Sequence, residues 1–162
     1  MAALERALEL DEGQAESRAA LGVCRALYEW DWPQGVEMTS RARALAPSSG
    51  YAHLARATVL TYGGRPEEAL EAATRAVRLE PFALSFRETL GICLYLQRRY
   101  GEALASLQGT LEMETGLYIA SVVLADTLAA LGRSQEALKI YETVMESMER
   151  PASYALKPAA RT

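Results

Sequence analysis

Histidine and cysteine are nearly missing from this chain, which has one of the first and two of the second in 162 residues. Cys24 and Cys93 are too few for a disulfide framework and lack metal-ligand spacing, which fits a reducing compartment. His53, the one imidazole, has no nucleophile and carboxylate set around it, so no catalytic constellation is visible. The acidic residues of RPEEALE and EMET are scattered along solvated faces without a motif. The one Gly-Gly pair, Gly63-Gly64, follows no strand pattern and precedes no Lys-Ser or Lys-Thr; it reads as an interhelical turn, not a phosphate loop. No apolar run approaches the roughly 18 to 20 residues needed to span a bilayer. The opening MAALERALELDEG is amphipathic and acidic, unlike a secretion signal. There is no block of one charge: 17 basic and 21 acidic residues are interspersed, which argues against nucleic acid or an anionic membrane as partner. Nor are β-branched and aromatic residues massed into alternating runs. The expectation is a soluble, cytoplasmic, all-helical chain that is not an enzyme and holds no cofactor or metal.

What is present is repetition. GGRPEEALEAATRAVRLEP from Gly63, LQRRYGEALASLQGTLEME from Leu96 and ALGRSQEALKIYETVMESM from Ala130 each read as a turn, Glu-Ala-Leu, then an amphipathic helix. Their anchors Ala69, Ala103 and Ala137 recur at a constant spacing of 34, and one further step back reaches Gly35. Upstream of each anchor is a second helix with a small residue, Gly22, Ala57, Gly91 or Ala125, at spacings of 35, 34 and 34. Pro47 and Pro81, again 34 apart, close two of the units. Such small residues allow helices to approach closely. The first set is expected where the two helices of a unit meet, and Ala69 and its equivalents against the next unit.

Arg87-x2-Leu90-Gly91-x2-Leu94 with Ala103-x3-Leu107, and Ser121-x2-Leu124-Ala125-x2-Leu128 with Ala137-x3-Tyr141, resemble the tetratricopeptide repeat. The resemblance implies an all-α, right-handed superhelical solenoid of antiparallel helix pairs. Its register divides the chain into a half repeat over residues 1–14, full repeats over 15–49, 50–83, 84–117 and 118–150, and a proline-containing tail over 151–162.

In that family the first helices line a concave groove for peptide segments or partner domains. Carrying those positions over names Ala19 and Val23, then Tyr51, Leu54, Thr58 and Tyr62, then Ser85, Glu88, Ile92 and Tyr95, then Ile119, Val122 and Asp126. The set holds no Lys/Arg and Asn clamp for a terminal carboxylate. It suits an apolar or aromatic-bearing segment anchored by Tyr51, Tyr62 and Tyr95; tyrosines that cover the core with their rings and keep the hydroxyl wet would give the same pattern.

The stretch YEWDWPQGV holds both tryptophans of the chain. Register sets Trp32 level with Pro66 and Tyr100, wedged between paired helices, with Asp31 as N-cap and Pro33 tolerated in the first turn. The extra residue of the longer first spacing is assigned to this turn, leaving Trp30 without an equivalent. Trp30 then either packs back onto the preceding half repeat or stands exposed as a partner anchor. The same stretch, with RARALAP and LGICLYLQRRYGEAL, is similar to repeat tails of multidomain bacterial signalling proteins. Three classes of function stay open: a protein or peptide-binding scaffold, a homodimer formed through the terminal helices, and the accessory segment of an enzyme.

Overall fold

Helix follows helix throughout the computed structural model, which describes residues 14–149. The half repeat expected over 1–14, apart from its last residue, and the tail over 151–162 lie outside the described residues. Eight helices are found among them: α1 (Ala15–Tyr28), α2 (Trp32–Leu45), α3 (Gly50–Tyr62), α4 (Pro66–Leu79), α5 (Leu84–Leu96), α6 (Tyr100–Met113), α7 (Tyr118–Ala130) and α8 (Ser134–Glu149). They pack as pairs, α1 on α2 through α7 on α8, and each second helix also packs on the first helix of the next pair.

Within each pair the turn repeats one backbone device. Trp30, Gly64, Arg98 and Gly132, which share one register position, all have positive φ, between 59° and 79°. The N–H of the following residue then reaches back over the helix end: Arg65 to the Leu60 carbonyl, Arg99 to Leu94 and Arg133 to Leu128, at 2.9 to 3.0 Å. This left-handed closure satisfies a carbonyl that the helix leaves unpaired, and glycine adopts it with least strain. In the first pair Asp31 N–H bonds to the Arg25 carbonyl, one residue further back. The extra residue therefore sits in the last turn of α1, not in the loop, and Trp30 does have equivalents. Asp31 caps α2 as expected, its carboxylate accepting from Gln34 N–H at 3.1 Å.

The half repeat onto which Trp30 was expected to pack lies outside the described residues, apart from its last residue; Trp30 itself stands largely in solvent. It is 74% exposed, and its ring meets the edge of Trp32 with centroids 6.0 Å apart. Trp32 is half-buried, and its ring lies near the turn after α3, 3.6 Å from where a Cβ on Gly63 would stand.

The core is built largely of alanine, with Leu21, Leu60, Phe86, Leu94, Leu107, Leu124 and Leu128 as its larger members. Small residues hold the helices of a pair together as expected: a Cβ on Gly91 would meet Leu107 Cδ2 at 2.5 Å. The expectation for the anchor series fails at Gly35, whose would-be Cβ meets Ala26 of its own pair at 2.7 Å, not the next repeat. Without a side chain, Gly35 leaves no spacer between α1 and α2. Ala69 clusters both with Ala57 and Leu60 of its own pair and with Cys93 of the next. Buried Thr39, Thr110 and Thr127 satisfy their hydroxyls on carbonyls four residues back, at 2.7 to 2.9 Å.

Repeats are also joined by polar links. The Arg56 guanidinium, at a position where Leu21, Leu90 and Leu124 stand in the other repeats, bonds Ser40 of α2 and Glu68 of α4, the latter at 3.2 Å. His53 is buried, its Nε2–H donating to the Pro47 carbonyl at 3.1 Å, and burial is the main influence lowering its pKa. Both cysteines are free; Cys93 is buried and Cys24 half-buried.

Candidate functional site

Curvature decides which surface is a groove. The first helices approach one another, α1 to α3, α3 to α5 and α5 to α7, whereas the second helices α2, α4, α6 and α8 make no such backbone approach among the described residues. The row therefore bends with its first helices inside, and their outward-facing residues line the inner surface. Of the positions projected there, Tyr51 and Tyr62 are exposed, and Leu54, Thr58, Glu88, Ile92, Tyr95, Val122 and Asp126 are half-buried. Ala19 is fully buried and lines nothing, because α1 packs closely on α3.

Three of the projected residues meet partners that sequence position did not suggest. The Tyr141 hydroxyl, from α8, donates to the Asp126 carboxylate. Tyr95 lies close enough for that carboxylate to raise its pKa, second to burial, and its ring stands 5.8 Å from that of Tyr100. Tyr95, Tyr100, Tyr141 and Asp126 thus form one polar-aromatic cluster at the junction of the third and fourth repeats. Only the aromatic slot of Ala137-x3-Tyr141 hinted at it. Glu88 lies near the next repeat, where the backbone of Ala120 in the first turn of α7 acts to lower the pKa of its carboxyl. Burial nonetheless pushes the Glu88 carboxyl above the ordinary range. At the other end Tyr51 is raised by burial, then by Cys24 and Glu16. Tyr62 stands apart at the end of α3, 61% exposed.

The Asp126 cluster has a measurable signature. The hydrogen bond to Asp126, with burial second, pushes the Tyr141 phenol up to about 12. Its folded pKa exceeds its unfolded value, so its contribution to stability is complete below the ordinary tyrosine value of about 10. That contribution disappears as pH rises from there toward about 12. Ultraviolet titration of the eight tyrosines should show one ionising late, and Asp126→Asn should return it to the main group. A wild-type curve without a late phenol would contradict the pairing.

Among the described residues no group of three or more His, Cys, Asp or Glu is placed to hold a metal ion, and no helix is long and apolar enough to cross a membrane.

A family model described as tetratricopeptide repeat matches residues 54–116. No curated protein shows a significant match to the sequence. Among solved structures, a crystal structure of MamA superposes with a TM-score of 0.73 at 18% identity, covering 90% of this chain and 85% of that one. YrrB, described as a TPR protein with an unusual peptide-binding site, gives 0.70 at 24% identity, covering 88% and 73%. The first TPR domain of the human RPAP3 protein gives 0.68 at 15% identity, covering 76% and 96%. At these identities the likeness is one of fold. Residues 54–116 match the tetratricopeptide-repeat model, the same helix pair continues at a constant period on either side of that segment, and these superpositions show that the chain has the all-helical fold of tetratricopeptide-repeat proteins.

Proposed function

We propose that this chain is a non-catalytic scaffold whose inner groove holds a peptide segment or partner domain, within a larger bacterial signalling protein. The observation that carries the groove is the tyrosine-bearing inner surface: Tyr51, Tyr62 and Tyr95 stand at least partly open along a face whose projected positions bear no Lys or Arg. Tyrosine supplies contact area at low entropic cost, which suits it to anchor an apolar or aromatic-bearing segment. YrrB, with the same fold, is described as having a peptide-binding site. The signalling context rests on the resemblance of the Tyr28–Trp32 stretch to repeat tails of such proteins. The test is selection of peptides from a random library on the wild-type chain, followed by measurement on a Tyr62→Ala plus Tyr95→Ala variant. Loss of about tenfold or more in affinity is expected; equal affinity removes the groove.

Trp30 is the second anchor in this reading. Its αL backbone carries a cost, and apart from its edge contact with Trp32 the indole is largely exposed. Trp30→Gly should therefore retain or raise stability while weakening a partner that uses this edge. Self-association is favoured by a separate observation: α8, the last described helix, exposes Leu138, Met145 and Met148. A monomer at all concentrations in sedimentation equilibrium would exclude it.

A further inference from the structure

On the outer side the second helices splay apart, and between α2 and α4 they leave a cleft of about 670 Å³ floored by α3. Helix register divides this cleft by charge. α2 and α4 run side by side in one direction, and α3 returns beneath them, so the last turns of both second helices lie above the first turn of α3. That end carries Arg43 from α2, Arg75 and Arg78 from α4, and His53 from α3. The opposite end carries Glu67, Glu68 and Glu71 from the start of α4, where Glu68 is already taken by Arg56 and Arg65.

Arg43, Arg75 and Arg78 make no ion pair among the described residues. The charges acting on the buried His53 ring are those of Arg75, Arg43 and Arg56, all of one sign, and they add to burial in lowering its pKa. Arginine in a last helical turn complements the helix dipole, which accounts for Arg43 and Arg78 singly. It does not account for Arg75, a turn earlier, or for the convergence of like charges on one buried imidazole.

We propose that this outer cleft binds an acidic peptide segment, whose carboxylates are held by Arg43, Arg75 and Arg78 and whose adjoining basic residue meets Glu67 and Glu71. A guanidinium fork pairs with a carboxylate through two parallel hydrogen bonds, and an anion among three of them offsets their mutual repulsion. A trench between two parallel 14-residue helices, about 20 Å long, accepts a chain segment and not only an ion. The site lies on the opposite side of the helix layer from the inner groove and does not depend on it.

His53 is the only histidine, so its ring signals in a nuclear magnetic resonance spectrum of the full chain report on this site alone. The probe is a synthetic peptide of consecutive glutamates followed by one lysine; inorganic phosphate and a lysine-rich peptide are the controls. The acidic peptide should shift the His53 signals saturably and raise the pKa of the ring, since a bound anion favours the imidazolium. Arg43→Gln plus Arg75→Gln, at two exposed positions, should abolish the response while helical circular dichroism is retained, and Tyr62→Ala plus Tyr95→Ala should leave it intact. No His53 response to the acidic peptide, an equal response to phosphate at the same total charge, or an undiminished response in the arginine variant would each overturn the proposal.

Discussion

Replacing Gly35 by leucine is expected to destabilise the first helix pair by about 3 kcal/mol or more. A Cβ at this position would stand 2.7 Å from the Ala26 Cβ and 2.8 Å from the Gly22 carbonyl oxygen. Both obstacles are fixed to the backbone of α1, so no rotamer change relieves them. Gly22 returns the constraint, its own would-be Cβ lying 3.0 Å from Met38 Cβ and from Thr39 Cγ2 and 3.1 Å from the Gly35 carbonyl. The two helices meet backbone to backbone, and a side chain there can only drive them apart. Because repeat stability is set mainly between neighbours, hydrogen exchange should speed up in α1 and α2 and much less in α5 to α8. Gly101→Ala is the control: nothing lies within 4 Å of its Cβ position in α6, so the gain in helix propensity should stabilise by about 0.5 to 1 kcal/mol. An unchanged urea midpoint for Gly35→Leu would refute the close crossing.

Leu107→Ala should cost about 3 kcal/mol, because this side chain is fully buried in the cluster joining the third and fourth repeats. It packs directly on Gly91, where a Cβ would stand 2.5 Å from Cδ2 and 2.7 Å from Cγ. Gly91→Ala alone should cost about 1 to 2 kcal/mol, the overpacking exceeding the propensity gain. In the double variant the new methyl enters space vacated by the leucine, so the losses should fall short of additive by about 1 kcal/mol or more. Urea unfolding of the four proteins measures this coupling. Additivity to within about 0.5 kcal/mol would mean that the two positions do not share one contact.

Much of the fold was legible because its determinants are local. Small residues at a fixed period, glycine in the turns at Gly64 and Gly132, and Asp31 before α2 each act within a few residues of where they stand. Helical register alone projects Tyr51, Thr58, Ile92 and Val122 to one side of the first helices. The readings that failed needed distances across the chain. Gly35 and Ala69 share a register position, yet a Cβ on the first would meet its own pair while the second clusters also with Cys93 of the next. The arginine end of the outer cleft was not legible at all. Arg43 and Arg75 stand on different helices with all of α3 between them in sequence, and only the parallel packing of α2 and α4 around α3 sets them across one opening.

The tryptophan pair shows the same division. From the sequence alone follow a turn between two helices, a cap at Asp31 and the period that makes this one unit of a row, since each depends on backbone preferences of adjacent residues. Tertiary structure decided that the extra residue lengthens α1, that Trp30 takes the left-handed position filled elsewhere by Gly64, Arg98 and Gly132, and that its indole faces solvent while Trp32 lies near Gly63. A turn's composition limits which backbone angles are accessible, but where its side chains point depends on how closely the next helix pair approaches, and that distance is set by the alanines and glycines of the whole stack.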